Sequence, residues 1–237
     1  MVRGVPGPGT VRPGPGGPGR GRSTRESEEG DAMTVLPLIF TSGLASGINA
    51  YAVVLLLGLL GRFAGAESVP HALERTDVLA AAAVLFLLEA VADKIPYVDT
   101  VWDAVHTVIR PIAGAVVGVL IAGNDPGSLS EVAAGAMGGT TALVTHLVKA
   151  SLRMAVNTSP EPASNIVVSL LEDLSVAGLV TLAIFHPWVA ASIAAVLLAV
   201  GLLLVRLAIS RVRAFRARRR ERRAAKAAAE GAFAGRR

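Results

Sequence analysis

The chain reads as an all-α protein, a polytopic membrane helix bundle of about six transmembrane helices, and three observations carry that reading. From Val35 to Leu60 there are 26 residues without a charge, where a spanning helix needs about 20 apolar residues. Composition agrees: 52% of the 237 residues are hydrophobic and 17% charged, against about 25% charged in an average soluble domain, and the mean hydropathy is +0.56. Further apolar stretches recur at spacings that allow one helix each.

Taken in order, residues 1–22 hold eight Gly and five Pro. Such a composition cannot bury a core, so residues 1–33 are expected to be disordered. The apolar run that follows is too long for the core of a signal peptide and ends in no small-residue cleavage pattern. Six candidate spans make up a helical domain over residues 34–209: Val35 to Leu60, Val78 to Ala92, Val105 to Gly123, Val132 to Val148, Ile166 to Phe185 and Pro187 to Val205. The second and third are short, or interrupted by Glu89 and Pro111. Gly61 to Pro70, Ile95-Pro96, Asn124 to Gly127, Asn157 to Pro162 and His186-Pro187 separate them as breakers. Residues 210–237 form a basic tail.

Cysteine is absent, which excludes disulfides, thiolate nucleophiles and Cys-based zinc or iron-sulfur sites. The net charge of +5 conceals a division. Residues 1–33 carry +1, residues 34–205 carry −6, and residues 206–237, with twelve Lys and Arg, carry +10. A tail this basic is expected to stay cytoplasmic. An even number of spans would then put both termini inside, with Lys94, Arg110, Lys149 and Arg153 cytoplasmic and Arg62 and Arg75 outside. The expected location is a bacterial inner membrane, crossed several times.

Three matches recur in the same order in the two halves: Gly43 to Gly47 with Gly135 to Gly139, Leu87-Leu88-Glu89 with Leu170-Leu171-Glu172, and Ile109-Arg110-Pro111 with Phe185-His186-Pro187. They suggest a three-plus-three repeat. An odd number of helices per unit would invert the second, as in many transporters. The pairs Gly43/Gly47, Gly114/Gly118 and Gly135/Gly139 allow close helix approach.

Carboxylates inside apolar helices ask for compensation, since one at the bilayer centre costs at least about 2.5–3.5 kcal/mol. Glu89 and Asp93 are four apart, as are Asp99 and Asp103, and His106 and Arg110 continue the second stripe on one helical face. Glu172 and Asp173 add two acids in the fifth span, and Lys94, Arg110, Lys149 and Arg153 are the cations near enough in register to pair with them. Two readings stay open. In one these groups are ion pairs fixing helix register, such as Arg110 with Asp103 or Lys94 with Glu89. In the other, Asn49, Glu89, Asp93, Asp99, Asp103, His106, Arg110, Glu172 and Asp173 line a polar site for a cation, proton or small solute. No metal-ligand spacing, cofactor motif or catalytic triad spacing is present, so neither a metal, a cofactor nor an enzymatic activity is expected.

Tyr97 and Trp102 look like interfacial anchors, placing residues 95–106 as an amphipathic or re-entrant piece at the cytoplasmic surface. His146 and His186 read as helix-end polar residues, and Asn49 as an interhelical hydrogen bond. The sequon Asn157-Thr158-Ser159 would lie in the cytoplasm and be accidental. In the tail, Arg211, Arg213, Arg216, Arg218, Arg219, Arg220, Arg222 and Arg223 suit anionic lipid head groups. Nucleic acid is the weaker partner, because Phe215 is the only aromatic residue interleaved with these arginines.

Gly47-Ile-Asn-Ala-Tyr51, Ala92 to Asp99, Trp102 to Thr107, Ile109-Arg110-Pro111, Asn157 to Pro162 and Ser164-Asn165 together resemble the bacterial membrane proteins grouped as domain of unknown function 4126. The resemblance covers about residues 34–205. It implies a polytopic membrane protein and brings no activity with it. Because its motifs fall on the polar stripe and loops, it favours a polar site or pore near them. Two functions follow as expectations: transport or permeation of a cation or small polar solute, or a non-catalytic scaffold whose tail binds lipid or protein.

Overall fold

A computed structural model describes residues 20–95, 98–124, 130–156 and 162–234, with side chains described from Val35 to Met154 within these segments, Asp99 excepted, and from Ile166 to Glu221. It is all-helical over the described residues: α1 (Arg20–Ala64), α2 (Thr76–Ala92), α3 (Val98–Asn124), α4 (Glu131–Val156), α5 (Pro162–Phe185) and α6 (Pro187–Ala234). The helices turn apolar side chains outward. Leu87 and Val91 on α2, Val108 and Ile112 on α3, Leu171 and Leu174 on α5 and Leu203 on α6 are exposed, while Arg110, His106 and Glu89 are among the largest buried side chains. In water that inversion would be ruinous; in hydrocarbon it is what solvation demands. Four helices are long and apolar enough to cross a membrane, over residues Val35–Ala64, Thr100–Asn124, Ile166–Phe185 and Pro187–Glu221.

The first of these does not run straight. Asn49 has non-helical angles, φ −151° and ψ 99°, and divides α1 into a first arm (20–48) and a second arm (50–64). A Cβ on Gly118 of α3 would lie 3.3 Å from Ile39 in the first arm, and Asn124 at the end of α3 donates to the carbonyl of Glu67, 3.0 Å away, just after the second arm. A straight α1 would carry Ala64 about 37 Å beyond Ile39, at 1.5 Å per residue, in the direction away from Asn124. The chain therefore folds back at Asn49. Each arm's apolar part, 35–48 and 50–64, is about 22 Å long, short of the roughly 30 Å hydrocarbon core. Gly65, at φ +62°, ends the second arm in the left-handed conformation glycine tolerates.

From there α2 runs back toward the Asn49 end, α3 returns, α4 runs antiparallel to α3, and α5 and α6 form the last pair. The fold-back adds a seventh rod to the six elements, so the start of α1 and the basic end of α6 lie at opposite ends of the bundle.

The tightest contact joins α1, α3 and α4. A Cβ on Gly114 would lie 2.7 Å from both the Gly138 carbonyl oxygen and the Ala142 side chain, and one on Gly47 would lie 2.6 Å from Thr145. Gly43 and Gly47 face Gly138 and residues 141–146 of α4, whereas Gly135 and Gly139 face Pro111, Ala115 and Val119 of α3. The repeat itself is confined to the order of elements, because α4 is unbroken through the stretch aligned with the break in α1.

α1 begins at Arg20, near where the Gly/Pro-rich composition ends. Residues 98–106 belong to α3, which continues through Pro111, with Asp103 and His106 buried and Val98, Val101 and Val105 exposed. α6 stays helical to Ala234, its tail built from Ala, Arg, Lys and Glu, all strong helix formers. Tyr97 and the Asn157 sequon lie outside the described residues.

Close packing at α3 and α4 gives a direct test. Gly138→Leu forces a side chain into the α3 backbone and should destabilise the bundle by about 1–3 kcal/mol or more, lowering its melting temperature in detergent. Gly178→Ala, where nothing lies within 4 Å, should leave the melting temperature unchanged.

Candidate functional site: a charged cluster at a broken helix

The break in α1 is built from its own sequence. The Asn49 side-chain oxygen accepts the Ala52 backbone N–H at 2.9 Å, which makes Asn49 the N-cap of the second arm. Its amide nitrogen donates to Asp173 Oδ1 on α5 at 3.3 Å. On the other side of the break the first arm ends with carbonyls that no helical N–H can reach. Arg110 donates to the Gly47 carbonyl at 3.2 Å and Lys149 to the Ile48 carbonyl at 2.9 Å. Two cations therefore meet the negative end of a half-helix dipole.

Arg110 is the centre of the first group. It lies 2.5 Å from Glu89 Oε1 and 3.4 Å from Asp103 Oδ1, with Arg110 and Glu89 both at 0% exposure. Its Nη1 also donates to His146 Nδ1 at 2.7 Å. A guanidinium only donates, so His146 is the neutral ring protonated on Nε2, which lies 3.0 Å from the Asp103 carbonyl oxygen and 3.1 Å from Thr107 Oγ1. His106 has the opposite tautomer, donating from Nδ1 to the Trp102 carbonyl at 2.8 Å and accepting from the Tyr51 hydroxyl on Nε2 at 3.1 Å. Trp102 stacks on the His106 ring at 4.9 Å.

The second group joins α2, α4 and α5. Lys149 lies 3.0 Å from Asp93 Oδ2 and 3.3 Å from Glu172 Oε2. Arg153 shares both acids: it is 3.1 Å from Asp93 Oδ2, donates to the Asp93 carbonyl at 2.7 Å, and engages both Glu172 oxygens through Nε and Nη2. Glu172, at 18% side-chain exposure, is the least buried member of these pairs. Beside them a cavity of about 160 Å³ is lined by Thr145, Lys149, Glu172 and apolar side chains of α1, α4 and α6.

The expected residues therefore converge. Asn49, Glu89, Asp93, Asp103, His106, Arg110, Glu172 and Asp173 all belong to the cluster, and the side chain of Asp99 lies outside the described residues. Of the two suspected pairs, Arg110 with Asp103 forms. Lys94 does not reach Glu89: it donates to the Ala90 carbonyl at 2.7 Å and to Ser169 at 3.5 Å, since Arg110 already holds that carboxylate. His146 is not a helix-end group but a buried bridge ten residues from the end of α4. The basic half of the site, Lys149 and Arg153, stands at i+3 and i+7 from His146 on one helical face, the periodic signal that could have found it. His186 is exposed between α5 and α6. Among the described residues no group of three or more His, Asp or Glu side chains is placed to hold a metal ion.

A family model described as Domain of unknown function (DUF4126) matches residues 36–207, which contain every member of the cluster. No curated protein matches the chain, and no solved structure does.

Removing one partner of a buried pair costs more than the pair is worth, about 3–5 kcal/mol. Arg110→Met should strip Glu89 and Asp103 of their cation and lower stability by that amount in detergent melts. The double variant Arg110→Met with Glu89→Met should recover part of the loss. A double variant as unstable as the sum of the two singles would rule out the coupling.

Proposed function

The chain belongs to the DUF4126 family, and from that premise we propose a transport or permeation protein for a cation or small polar solute, with its site at the Asn49 break. The observation that carries this reading is the broken helix itself. Half-helix ends meeting near the middle of a bundle are a recurrent way of building solute and ion sites in membranes, and irregular backbone is tolerated there only where protein or a wet cavity satisfies it.

A second feature supports it. Ser42, Ser46 and Asn49 stand four and three residues apart on one face of α1, and the hydroxyls of Thr41, Ser42, Ser46 and Thr145 are buried without a hydrogen-bond partner among the described residues. Orphaned hydroxyls in an apolar bundle are costly. A row of them ending at a charged cluster suits the passage of a hydrated or polar species. The carboxylates of Glu89, Asp93, Asp103, Glu172 and Asp173 outnumber Lys94, Arg110, Lys149 and Arg153, which favours a cation over an anion.

The scaffold reading rests on the Arg110 group, whose members are sealed and whose distances suit a lock. It accounts less well for the Lys149 group, where two cations share two acids beside a cavity. In this proposal the first group fixes the fold and the second meets the solute, and no bond-making step is assigned to the protein. The end bearing Lys94, Arg110, Lys149, Arg153 and the basic tail would face the cytoplasm, leaving the start of α1 outside, with the tail arginines on anionic lipid.

Two experiments test it. In liposomes of the wild type, cation or proton flux should exceed background, and Glu172→Gln and Asn49→Ala should each lower it by about tenfold or more; equal background flux in all three would reject transport of the ions tried. For orientation, the absence of native cysteine allows single-site labelling in intact cells. Ser23→Cys should react with an impermeant maleimide as Glu67→Cys does, while Ser210→Cys stays protected; protection at both Ser23→Cys and Ser210→Cys would refute the opposite-ended topology.

A further inference from the structure

We infer that the groove between α4 and α6, near the end of α4, holds one anionic phospholipid, with an acyl chain on its apolar wall and the phosphate on Arg213 and Arg216. The inference rests on the reading of the basic tail as a lipid-binding element and narrows it to a single site.

α4 and α6 meet at Val148, whose Cγ1 lies 2.6 Å from where a Cβ on Gly201 would stand. Beyond that contact, toward the end of α4, lies a cavity of about 400 Å³, a size within the range of about 300–1,000 Å³ that bound small molecules occupy. Leu152 of α4 and Val205, Ile209 and Val212 of α6 line it, and the hydroxyl of Ser151 beside them donates to the Leu147 carbonyl at 2.7 Å. This wall suits a hydrocarbon chain.

The groove has a second character at its far end. Arg213 and Arg216 also line it, continuing the stripe of Val205, Ile209 and Val212 at helical spacing. Both are exposed, and no carboxylate among the described residues engages either. A guanidinium is a planar fork of donors that matches phosphate oxygens.

Depth selects the occupant. Trp188, exposed near the opposite end of the apolar part of α6, stands where an interfacial ring belongs. From Trp188 to Arg216 the helix rises about 42 Å, against about 40–45 Å for a bilayer with its head groups. The two arginines thus sit at the level of lipid phosphates, and the apolar wall sits on their hydrocarbon side. A phospholipid carries its charge and its chain in that same order, whereas a protein partner has no need of alignment with the bilayer. The surrounding tail arginines favour a lipid of net negative charge.

The test is native mass spectrometry of the full chain in detergent with added phosphatidylglycerol or phosphatidylcholine. Saturable retention of one phosphatidylglycerol per chain is expected, with phosphatidylcholine at least tenfold weaker. Arg213→Gln with Arg216→Gln removes the phosphate contacts, and Ala208→Trp fills the groove from an exposed lining position without changing charge. Each should weaken phosphatidylglycerol tenfold or more at an unchanged melting temperature, while Arg218→Gln, Arg219→Gln and Arg220→Gln together should weaken it less than threefold. Equal retention of the two lipids by the wild type, or Ala208→Trp binding like the wild type, would overturn the inference. Loss in the triple variant but not in the Arg213/Arg216 double variant would keep the tail as a lipid-binding element and remove this site. Wild-type retention in both sets of arginine variants would remove the two together.

Discussion

A helix broken inside a membrane leaves carbonyls that water cannot reach, and the protein's answer to that constraint organises the whole molecule. In hydrocarbon each unsatisfied backbone group costs several kcal/mol. The first arm of α1 ends at Ile48, and its last carbonyls are taken by Arg110 from α3 and Lys149 from α4. Those cations are themselves expensive to bury, so they bring carboxylates: Glu89 and Asp93 from α2, Asp103 from α3, Glu172 from α5. One irregular residue thereby recruits four other helices. The charged cluster follows from the break, and the arrangement of α2 to α5 follows from the cluster.

Packing makes this possible at short range. Arginine and lysine side chains can reach the α1 backbone only because α1, α3 and α4 approach closely, and Gly47, Gly114 and Gly138 permit that approach. Without a hydrophobic force between helices in lipid, small residues and polar contacts must hold them together. Here both lie in one region: the glycine contact between α1 and α4 ends at Gly47, the residue whose carbonyl Arg110 takes. Helix proximity and charge satisfaction support each other.

Much of this was legible in the sequence, for identifiable reasons. Apolar length announced the membrane, and the acidic stripes were visible because residues four apart share a helical face. Asp103, His106 and Arg110 do point the same way, into the bundle. The fold-back was not legible, because hydropathy averages over 26 uncharged residues and does not register a single Asn. An N-cap signal was present in Asn49 itself, but amid apolar sequence it read as a polar decoration. Lys149 and Arg153 were legible as possible partners of the acids but not as lining the site, because the fourth span seemed to stop at Val148 with its apolar run, leaving them as loop charges. The helix continues to Val156 because carboxylates on neighbouring helices solvate them. Hydropathy marks where lipid is tolerated, and it cannot show where one helix supplies the solvent for another.

The two halves of the cluster differ in a way that bears on function. Around Arg110 the ion pairs are enclosed: Glu89 and Arg110 are fully buried, with Glu89 Oε2 and Arg110 Nε without a hydrogen-bond partner among the described residues, and the geometry fixes His146 as neutral, so it adds no charge to balance. A closed arrangement of this kind contributes register and little else, because moving any member exposes an uncompensated ion. Around Lys149 the arrangement is redundant, since Asp93 and Glu172 each serve both Lys149 and Arg153. Redundancy lowers the cost of rearrangement. If Lys149 gives up Glu172 it retains Asp93 and the Ile48 carbonyl, and Arg153 still holds the released acid. A carboxylate that can change partners without stranding a charge is held less rigidly than one sealed against a single cation, and Glu172, the member bordering a cavity, occupies that position.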